Sequence, residues 1–447
     1  MKFAENIFGA YDIRGKVPHE LTPEVAKNIG RAMADYVPEG QIAVGRDMRP
    51  DSEQLARSVI EGLLTQGRQV VDLGEITSDM MYFAVGNYDY SGGAMITASH
   101  NPGEYNGLKL TNKGVVPIAG EQGLLQIKQA LIDDKFKESP GSGSVTNKDI
   151  LSDWVDHALN FAPNLQPLHV GFDAGNGMAG ILPPELGKKT PLKIEGLFLE
   201  LDGTFPNHMA NPLIFENLSD LIRLVKDNKL DCGVAFDGDG DRGFFVDEAG
   251  IPVTGSVLGA LLITHILRDN PGATILYNAI CSRIVPETIE KLGGKGIRTR
   301  VGHGFIKADM HKHGAVFACE HSGHFYFKDN YNADSGLIPI LMGLSILGQS
   351  GKRLSDLVKG LRASYVDSGE INFEVTDKEL VMKKLAEEYA DGEQDNLDGL
   401  TVNYSNWWFN VRPSQNEPLL RLNIEAKEQD SLNANLATIT KSIESNS

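Results

Sequence analysis

Two short stretches carry residues whose types and spacing could perform chemistry. In the first, residues 97–102 (TASHNP), a short apolar strand delivers the hydroxyl of Ser99 into a loop that Pro102 stiffens. A serine in a turn usually only hydrogen-bonds its own backbone, because serine is a poor nucleophile until its charge is stabilised. The second stretch, residues 237–242 (DGDGDR), alternates three aspartates with small residues. Together the two stretches predict a phosphorylated Ser99 held against a divalent cation.

The aspartate stretch has the spacing of a metal-binding loop. Carboxylates at positions i, i+2 and i+4 can converge on a hard cation, here Asp237, Asp239 and Asp241. A calcium EF-hand loop would use the same spacing, with Glu248 at its twelfth position, but it needs glycine where Arg242 stands and helices where the flanks are strand-like. In a solvated acidic turn, three crowded carboxylates would repel one another without a cation. The pattern therefore favours a metal site.

A phosphoryl group carries close to two negative charges, so its transfer also requires cationic donors. Nine candidates stand in contexts that we expect to be loops: Arg14, His100, Lys109, Arg242, His303, Lys307, His324, Arg412 and Arg421. Residues 412–418 (RPSQNEP) are predicted to be a polar loop that could cradle a phosphate. Glu320 and Ser322 offer polar edges that suit sugar hydroxyls. Each of these residue types alone more often has a structural role, so the prediction of phosphate and sugar binding depends on all of them occurring together.

Composition excludes several classes of protein. With 447 residues, the chain is too long for one core and predicts three or four domains. Its 42 basic and 60 acidic residues give a net charge of −18, which argues against a nucleic-acid or membrane partner. The 3 cysteines form no CxxC pair, which predicts reduced thiols. No apolar leader or membrane-length run is evident, so we expect a cytoplasmic protein.

Strands alternate with helices along most of the chain, which predicts three similar mixed-sheet α/β units and a smaller α+β unit at the C-terminus. We expect domains at 1–146, 147–250, 251–368 and 369–447, with a linker at 138–144 between the first two. Ligands of such sheets lie at the carboxyl ends of strands. The first strand is predicted over residues 7–15, ending in a glycine turn that carries Arg14. A helix is predicted to begin at Pro23, capped by Thr22.

Taken in chain order, five motifs resemble the α-D-phosphohexomutase superfamily, specifically the bacterial phosphomannomutase/phosphoglucomutase group. They are residues 10–15 (AYDIRG), the serine loop, the aspartate loop, residues 320–324 (EHSGH) and the polar loop after Arg412. The resemblance implies four domains around a central cleft and a reversible 1,6 transfer. It also implies that phosphorylated Ser99 gives its phosphoryl group to a hexose monophosphate. The hexose 1,6-bisphosphate so formed turns over and returns its other phosphate, and the same compound serves as activator.

The resemblance also implies roles for individual residues. Mg²⁺ would be bound by Ser99, Asp237, Asp239 and Asp241. Arg14, Lys109 and Arg242 would surround the transferring phosphate, with His100 and Lys109 as acid/base candidates. Residues matching the family's substrate contacts are Tyr11, His303, Lys307, Glu320, Ser322, His324, Arg412, Ser414, Gln415, Asn416 and Arg421. The family usually reads Ser-Asn-Thr in the last loop, whereas here Gln415 and Asn416 follow the serine and keep its hydrogen-bonding capacity.

The sequence therefore predicts a magnesium-dependent phosphohexomutase that acts on mannose, and also glucose, phosphates as a monomer or homodimer. Phosphoglucomutase and phosphoglucosamine mutase are the alternatives within the class. A metal-dependent sugar phosphatase, in which water takes the phosphate from Ser99, is the alternative from another reaction class. A calcium-binding module without catalysis is the third reading.

Overall fold

A computed structural model describes residues 3–120, 122–137, 141–414 and 419–446. The chain forms two compact units, Met1–Val253 with Ser322–Ser355 and Thr254–His321 with Asp356–Ser447. Two sets of predictions lie outside the described residues: Gln415 and Asn416, and residues 138–140 of the predicted linker.

The first unit begins with a mixed seven-stranded sheet and its helices. Its elements are β1 (Ile13–Lys16), α1 (Pro23–Tyr36), β2 (Ile42–Arg46), α2 (Ser52–Thr65), β3 (Gln69–Glu75), α3 (Ser78–Asn87), β4 (Gly92–Ile96), β5 (Tyr105–Asn112), β6 (Val116–Pro117), α4 (Leu124–Asp133) and β7 (Ser144–Asn147). The strand order is β1-β5-β4-β2-β3-β7, with β6 on β5. Strands β4, β2, β3 and β7 are parallel, and β5 is antiparallel to β4 and β1. Helix α1 begins as predicted, because the Thr22 side chain accepts from the backbone of Val25 at 3.2 Å.

The first strand differs from its prediction over residues 7–15. Glu5–Ile7 form a single 3₁₀ turn, and the strand occupies only Ile13–Lys16. The backbone of Gly9 donates to the carbonyl of Asp12 at 3.0 Å, so the chain reverses between Phe8 and Ile13. Arg14 consequently lies on a strand, opposite Gly107 of β5, and the prediction of a glycine turn at this residue is wrong.

A second mixed sheet follows in the same unit. Its elements are α5 (Leu151–Leu159), β8 (His169–Asp173), α6 (Leu182–Lys189), β9 (Lys193–Leu197), α7 (Ser219–Asn228), β10 (Cys232–Phe236), β11 (Gly243–Asp247) and β12 (Pro252–Val253). The order is β12-β11-β10-β8-β9, in which β10, β8 and β9 are parallel and β11 is antiparallel to both of its neighbours. In both sheets, an antiparallel pair thus adjoins the parallel strands. Strands β4 and β10, which are buried throughout, lead into the two predicted functional loops.

The chain continues through the second unit and returns to the first. The elements of the second unit up to His321 are α8 (Gly255–Asp269), β13 (Thr274–Asn278), α9 (Ile284–Lys291), β14 (Lys295–Thr299), α10 (His303–His313) and β15 (Phe317–Cys319). Strands β14 and β15 both pair parallel with β13. The returning segment contains β16 (Phe325–Phe327), β17 (Ala333–Asp334) and α11 (Leu337–Ser350), and β16 pairs antiparallel with β17.

After α12 (Leu354–Arg362), the chain forms an antiparallel sheet in the second unit. The elements are β18 (Val366–Glu374), α13 (Lys378–Glu388), β19 (Glu393–Asp395), β20 (Leu400–Asn403), β21 (Trp407–Pro413), β22 (Leu419–Ala426) and α14 (Gln429–Ser445), with strand order β18-β22-β21-β20-β19. Its core includes Val402, Phe409 and Leu422. The predicted fold class, α/β units followed by a smaller α+β unit, is confirmed.

Two further observations concern the sequence predictions. Cys232, Cys281 and Cys319 are buried and have free thiols. Among the helices of the described ranges, none combines the length and the apolar character needed to span a membrane.

Candidate active site

The serine loop follows β4 in a conformation that buries Ser99. Ser99 has φ 52°, in the left-handed region that costs a non-glycine residue about 1 kcal/mol. Its backbone N–H donates to the side chain of Thr97 at 2.9 Å. Its hydroxyl donates to Asp237 Oδ2 at 3.0 Å and lies 3.1 Å from His100 Nδ1. The strained backbone thus presents the hydroxyl to a carboxylate and an imidazole.

The aspartate loop is the tight connection between β10 and β11. Glycine is required twice: Gly240 has φ 76°, and a Cβ on Gly238 would lie 2.4 Å from the carbonyl oxygen of Ser99. The absence of a side chain at Gly238 therefore lets the two loops touch. Asp237, Asp239 and Asp241 are all buried, and their carboxylates approach one another within 4.8 Å.

The carboxylate oxygens divide into two sets. Lys109 Nζ lies 2.6 Å from Oδ2 of both Asp239 and Asp241. Oδ1 of these two residues is buried, with no hydrogen-bond partner among the residues that the structure describes. Burying a carboxylate oxygen without a partner costs free energy, and oxygen donors suit a hard divalent cation. The residues present therefore fit a metal ion that these oxygens would bind.

The positive charges of the site are themselves paired. Arg242 Nη2 lies 2.7 Å from Asp237 Oδ2 and 2.5 Å from His100 Nδ1. Burial alone would lower the pKa of Lys109, but the charges of Asp239 and Asp241 outweigh it and raise that pKa well above its ordinary value. Lys109 is thus a charged ammonium at neutral pH.

His100 has the opposite electrostatic character. Burial, followed by the charges of Arg242 and Arg14, lowers the pKa of His100 well below its ordinary value. The ring is therefore neutral at pH 7. Since Arg242 can only donate, His100 Nδ1 is the acceptor in that contact.

Other predicted residues of the first unit lie around this centre. Arg14 donates to the side chain of Asn101 and to Asp12 Oδ2, the latter at 2.8 Å. His324 Nδ1 lies 2.9 Å from Ser322 Oγ, and its Nε2 is 3.8 Å from Asp241 Oδ1. Tyr11 is half-buried in the turn before β1. The structure brings Ser99, His100, Lys109, Arg242 and His324 together with the three aspartates, and Arg14 contacts the same serine loop through Asn101.

The second unit holds the predicted phosphate anchor. Arg412 on β21 and Arg421 on β22 are opposite one another in register, and both pair with Glu370 of β18, Arg421 Nη1 at 3.3 Å. Arg421 Nη2 also donates to Ser414 Oγ at 3.4 Å. The predicted loop beginning at Arg412 is wrong at its start, because β21 continues through Pro413 and carries Arg412 as a strand residue.

Loop positions were also expected for His303 and Lys307, and this expectation is wrong. Both lie on α10, which follows Gly302 with φ 127°. Lys307 is buried within that helix, whereas Arg14, Lys109 and Arg421 lie on strands. Glycines next to these cations suggested turns. In the structure, these glycines lie at the ends of helices or strands, or within paired strands. Glu320 is buried at the end of β15, where its Oε2 accepts from Asn278 at 3.0 Å.

Several contacts were not predicted. The Ser78 hydroxyl donates to Asp239 Oδ2 at 2.5 Å, and its backbone donates to the Asp239 carbonyl at 2.9 Å. Asn101, Asn278 and Glu370 each hold a predicted site residue. Asn101 was visible in the serine motif itself. Ser78 and Asn278 follow or end parallel strands, which is where such sheets place ligands, and that signal could have found them.

The chain belongs to the phosphoglucomutase/phosphomannomutase family. The models of its α/β/α domains I, II and III match residues 5–138, 152–250 and 254–365, and the model of its C-terminal domain matches residues 370–441. The chain thus has the four-domain architecture of that family.

Individual relatives agree over nearly the whole chain. It is 37% identical over 424 residues to phosphohexose mutases of Xanthomonas campestris, covering 94% of this chain and 95% of the relative. It is 37% identical over 432 residues to a phosphomannomutase of Methanocaldococcus jannaschii, covering 95% of each. A crystal structure of a phosphoglucomutase/phosphomannomutase family protein from Burkholderia thailandensis has TM-score 0.91 and 32% identity, covering 99% of this chain and 98% of that one. The chain is therefore a phosphohexomutase, an isomerase that acts as an intramolecular phosphotransferase. A hexose phosphate substrate is consistent with this family.

Proposed function

We propose that this enzyme interconverts the 6- and 1-phosphates of mannose, and also of glucose, through a phosphoserine at Ser99 and a hexose 1,6-bisphosphate. The observation that carries the proposal is the buried hydroxyl of Ser99, 3.0 Å from Asp237 Oδ2 at the edge of three converging aspartates. Relatives named phosphomannomutase, at 34–37% identity, support mannose as the sugar.

Mg²⁺ is the metal that the donor set supports. Asp237, Asp239 and Asp241, with Ser99 Oγ, would hold it through oxygen atoms only, and the orphaned oxygens of Asp239 and Asp241 are available for it. When bound, the ion neutralises charge on the phosphoryl oxygens during transfer. Lys109 holds the other oxygen of Asp239 and Asp241 and so fixes the orientation of the ligands.

The chain's own groups can manage the remaining charges and protons. In the first step, the bond between phosphorus and Ser99 Oγ breaks, a bond to the sugar hydroxyl oxygen forms, and the proton of that hydroxyl passes to Ser99 Oγ. In the return step, a phosphoryl group of the bisphosphate transfers to Ser99 Oγ as its bond to the sugar oxygen breaks, and the serine proton passes by way of His100 Nδ1, 3.1 Å from Oγ, to that sugar oxygen. Neutral His100 can accept that proton, whereas charged Lys109 can only donate one. Arg14 and Arg242 would stabilise the equatorial phosphoryl oxygens.

Two sets of residues would hold the phosphate and the sugar of the substrate. The phosphate that is not reacting would be bound by Arg412, Ser414, Gln415, Asn416 and Arg421. Both arginines pair with the carboxylate of Glu370, and a phosphate can replace that carboxylate as their anionic partner. The sugar and its hydroxyls would be bound by Tyr11, His303, Lys307, Glu320, Ser322 and His324. Glu320 suits this role because one face of its carboxylate is already fixed by Asn278.

Three further parts of the proposal concern organisation. We place the domain boundaries after residues 146, 250 and 368, and the family models match ranges that these boundaries separate. Three buried free thiols support a cytoplasmic location, where cysteines stay reduced. A hexose 1,6-bisphosphate would act as activator by reloading Ser99, and the enzyme would act as a monomer or homodimer.

The test is the intact mass of the purified protein, followed by peptide mapping. We expect one added phosphate on Ser99 that disappears on incubation with hexose 1-phosphate and returns with glucose or mannose 1,6-bisphosphate. Ser99→Ala should carry no phosphate and should lose turnover by several orders of magnitude, whereas Ser91→Ala, a buried serine bonded to Gln41, should behave as wild type. A Ser99 that stays unmodified with either bisphosphate would refute the phosphoserine mechanism. Release of inorganic phosphate without any bisphosphate requirement would favour a phosphatase.

A further inference from the structure

Arg49 follows β2 at the carboxyl edge of the first sheet, outside every motif that predicted the site. Its side chain is only 1% exposed. A guanidinium has five N–H donors in a rigid fork, and leaving such donors unsatisfied in the interior is costly. The partners of Arg49 therefore indicate what the residue is for.

Four of these donors bind backbone carbonyls of one segment, the serine loop and the turn after it. Nη2 donates to Ser99 O at 2.9 Å and to Asn101 O at 2.6 Å. Nη1 donates to Pro102 O and to Tyr105 O, both at 2.9 Å. Each terminal nitrogen thus uses both of its hydrogens on the loop that presents the reactive hydroxyl.

The fifth donor, Nε, makes no hydrogen bond within the described residues, but it is ion-paired, and an aromatic ring lies near the guanidinium. Nε lies 3.3 Å from Asp47 Oδ2, and Asp47 in turn accepts from the Arg49 backbone at 3.0 Å. The ring of Phe205 has its centroid 5.5 Å from the guanidinium carbon. Gly203 packs so closely that a Cβ there would lie 2.5 Å from Arg49 Cα. Asp47, Phe205 and Gly203 therefore fix the position of Arg49, whose guanidinium in turn binds the serine loop.

Ser99 needs such a support because its backbone is in the left-handed region. Side chains in that conformation persist only where the surroundings over-determine it. The Ser99 carbonyl oxygen that Arg49 binds is also the atom that a Cβ on Gly238 of the aspartate loop would meet, at 2.4 Å. From these contacts we infer that Arg49 is a positioning residue, whose guanidinium fixes the serine loop so that the Ser99 hydroxyl faces the aspartates.

This inference rests on the proposed role of Ser99 and adds that position 49 requires a planar group whose terminal nitrogens donate four hydrogen bonds. Lysine keeps the charge but has one nitrogen and three donors, so it cannot bind four carbonyls spread over residues 99–105. Misplacement of a reacting group by about 1 Å can cost about 100-fold in rate. The loss should therefore appear in kcat and in Ser99 phosphorylation, not in KM.

The experiment compares Arg49→Ala and Arg49→Lys with Arg68→Ala in the full-length enzyme. Arg68 is the matched control, because it is another buried arginine of the first sheet that donates to backbone carbonyls, those of Ala34 and Pro38. We expect both Arg49 variants to lose about 100-fold in kcat, with KM within about threefold of wild type. Guanidinium chloride at about 50 mM should restore at least a tenth of the lost rate to Arg49→Ala and none to Arg68→Ala.

Phosphorylation of Ser99 separates the possible failures. Wild-type enzyme is loaded with glucose 1,6-bisphosphate, and its phosphate is mapped beside that of the variants. An unphosphorylated Ser99 in wild type would refute the proposed function. Two outcomes with a phosphorylated wild type would overturn the role of Arg49. In the first, Arg49→Lys has the kcat of wild type. In the second, Arg49→Ala and Arg68→Ala lose the same factor in kcat and guanidinium restores neither. If Arg49→Ala does not fold, the kcat and phosphorylation rate of Arg49→Lys decide the question.

Discussion

The two units of the molecule hold their predicted phosphate-handling charges in opposite ways. In the first unit, the aspartate cluster (Asp237, Asp239 and Asp241) keeps two buried oxygens that have no hydrogen-bond partner among the described residues, while Lys109 fixes the other oxygens of Asp239 and Asp241. In the second unit, the arginine pair (Arg412 and Arg421) is already bound to Glu370. The first arrangement is fixed before a ligand arrives, whereas the second must exchange a carboxylate for a phosphate. We therefore expect changes in the first to affect the chemical step and changes in the second to affect binding.

The largest effect should follow Asp239→Asn. This change removes a carboxylate from the aspartate cluster and also weakens the contacts of Lys109 and Ser78. We expect a loss of about 10³-fold in kcat, with a Mg²⁺ requirement shifted to much higher concentration or lost. The measurement is a Mg²⁺ titration of activity beside direct metal binding by calorimetry. Asp231→Asn, which alters an aspartate bonded to the backbone of His169, serves as the control, and an identical titration for the two variants would remove Asp239 from the site.

How much of this comparison could be predicted from the sequence depends on the range of the contacts. The aspartate cluster was predictable because its geometry is local: strand-like flanks bound a six-residue loop, and the structure places the strands β10 and β11 there. The serine motif was equally local. Arg14 and Lys109 were wrongly placed in loops, because strand pairing with distant segments decides their backbone.

The contacts that hold the site could not be predicted. Arg49 meets carbonyls some fifty positions away, and backbone acceptors carry no signature in the sequence. Glu370 lies beside the arginine pair only because β18 pairs with β22 through a register shift after Asp367. Residues outside the sequence motifs, and far from them along the chain, therefore orient the residues within the motifs.

The next largest effect should come from the arginine pair. Arg412→Gln removes a charged donor while leaving a polar side chain beside Glu370 and Asn423. Because a charge-assisted hydrogen bond to phosphate is worth about 1.5–3 kcal/mol, we expect KM for mannose 1-phosphate to rise about 10- to 100-fold. Phosphorylation of Ser99 and the Mg²⁺ titration should stay as in wild type. Arg298→Gln, which breaks the ion pair with Asp395 in the same unit, controls for lost stability and should leave KM unchanged.

A smaller effect in the opposite direction should follow Glu370→Gln. Glutamine can still accept a hydrogen bond from the arginine pair, but it no longer competes with a phosphate for the positive charge. We expect KM to fall about threefold with kcat unchanged, and Glu370→Asp, which keeps the charge, to lower it less. Steady-state kinetics at two salt concentrations would check this, since an electrostatic gain weakens with salt. A higher KM for Glu370→Gln would mean that the carboxylate mainly orients the arginines.

The last expected effect concerns stability and a buried carboxyl group beside the aspartate cluster. Asp79 accepts hydrogen bonds from the side chains of Thr77 and Ser335, and burial raises its pKa to about 7. The folded protein therefore keeps a proton on Asp79 that the unfolded chain loses near pH 4. The stability contributed by that proton is present below about pH 4 and lost as the pH rises through 7, to a limit of about 4 kcal/mol. Asp79→Asn cannot ionise, so its free energy of unfolding should fall less than that of wild type between pH 5 and pH 8.

Urea unfolding at both pH values would measure this difference, with Glu425→Gln as the counterpart in the second unit. Burial also raises the pKa of Glu425, which accepts from the backbone of Arg283 and from the Trp408 indole. A flatter pH profile in both variants would show that ionisation of a buried carboxyl group destabilises each unit as the pH rises. If Asp79→Asn keeps the wild-type slope while Glu425→Gln flattens it, Asp79 is ionised in the folded protein. In that case its hydrogen bonds to Thr77 and Ser335 outweigh its burial, as the charge of Lys109 outweighs burial for Asp239 and Asp241 and lowers their pKa values.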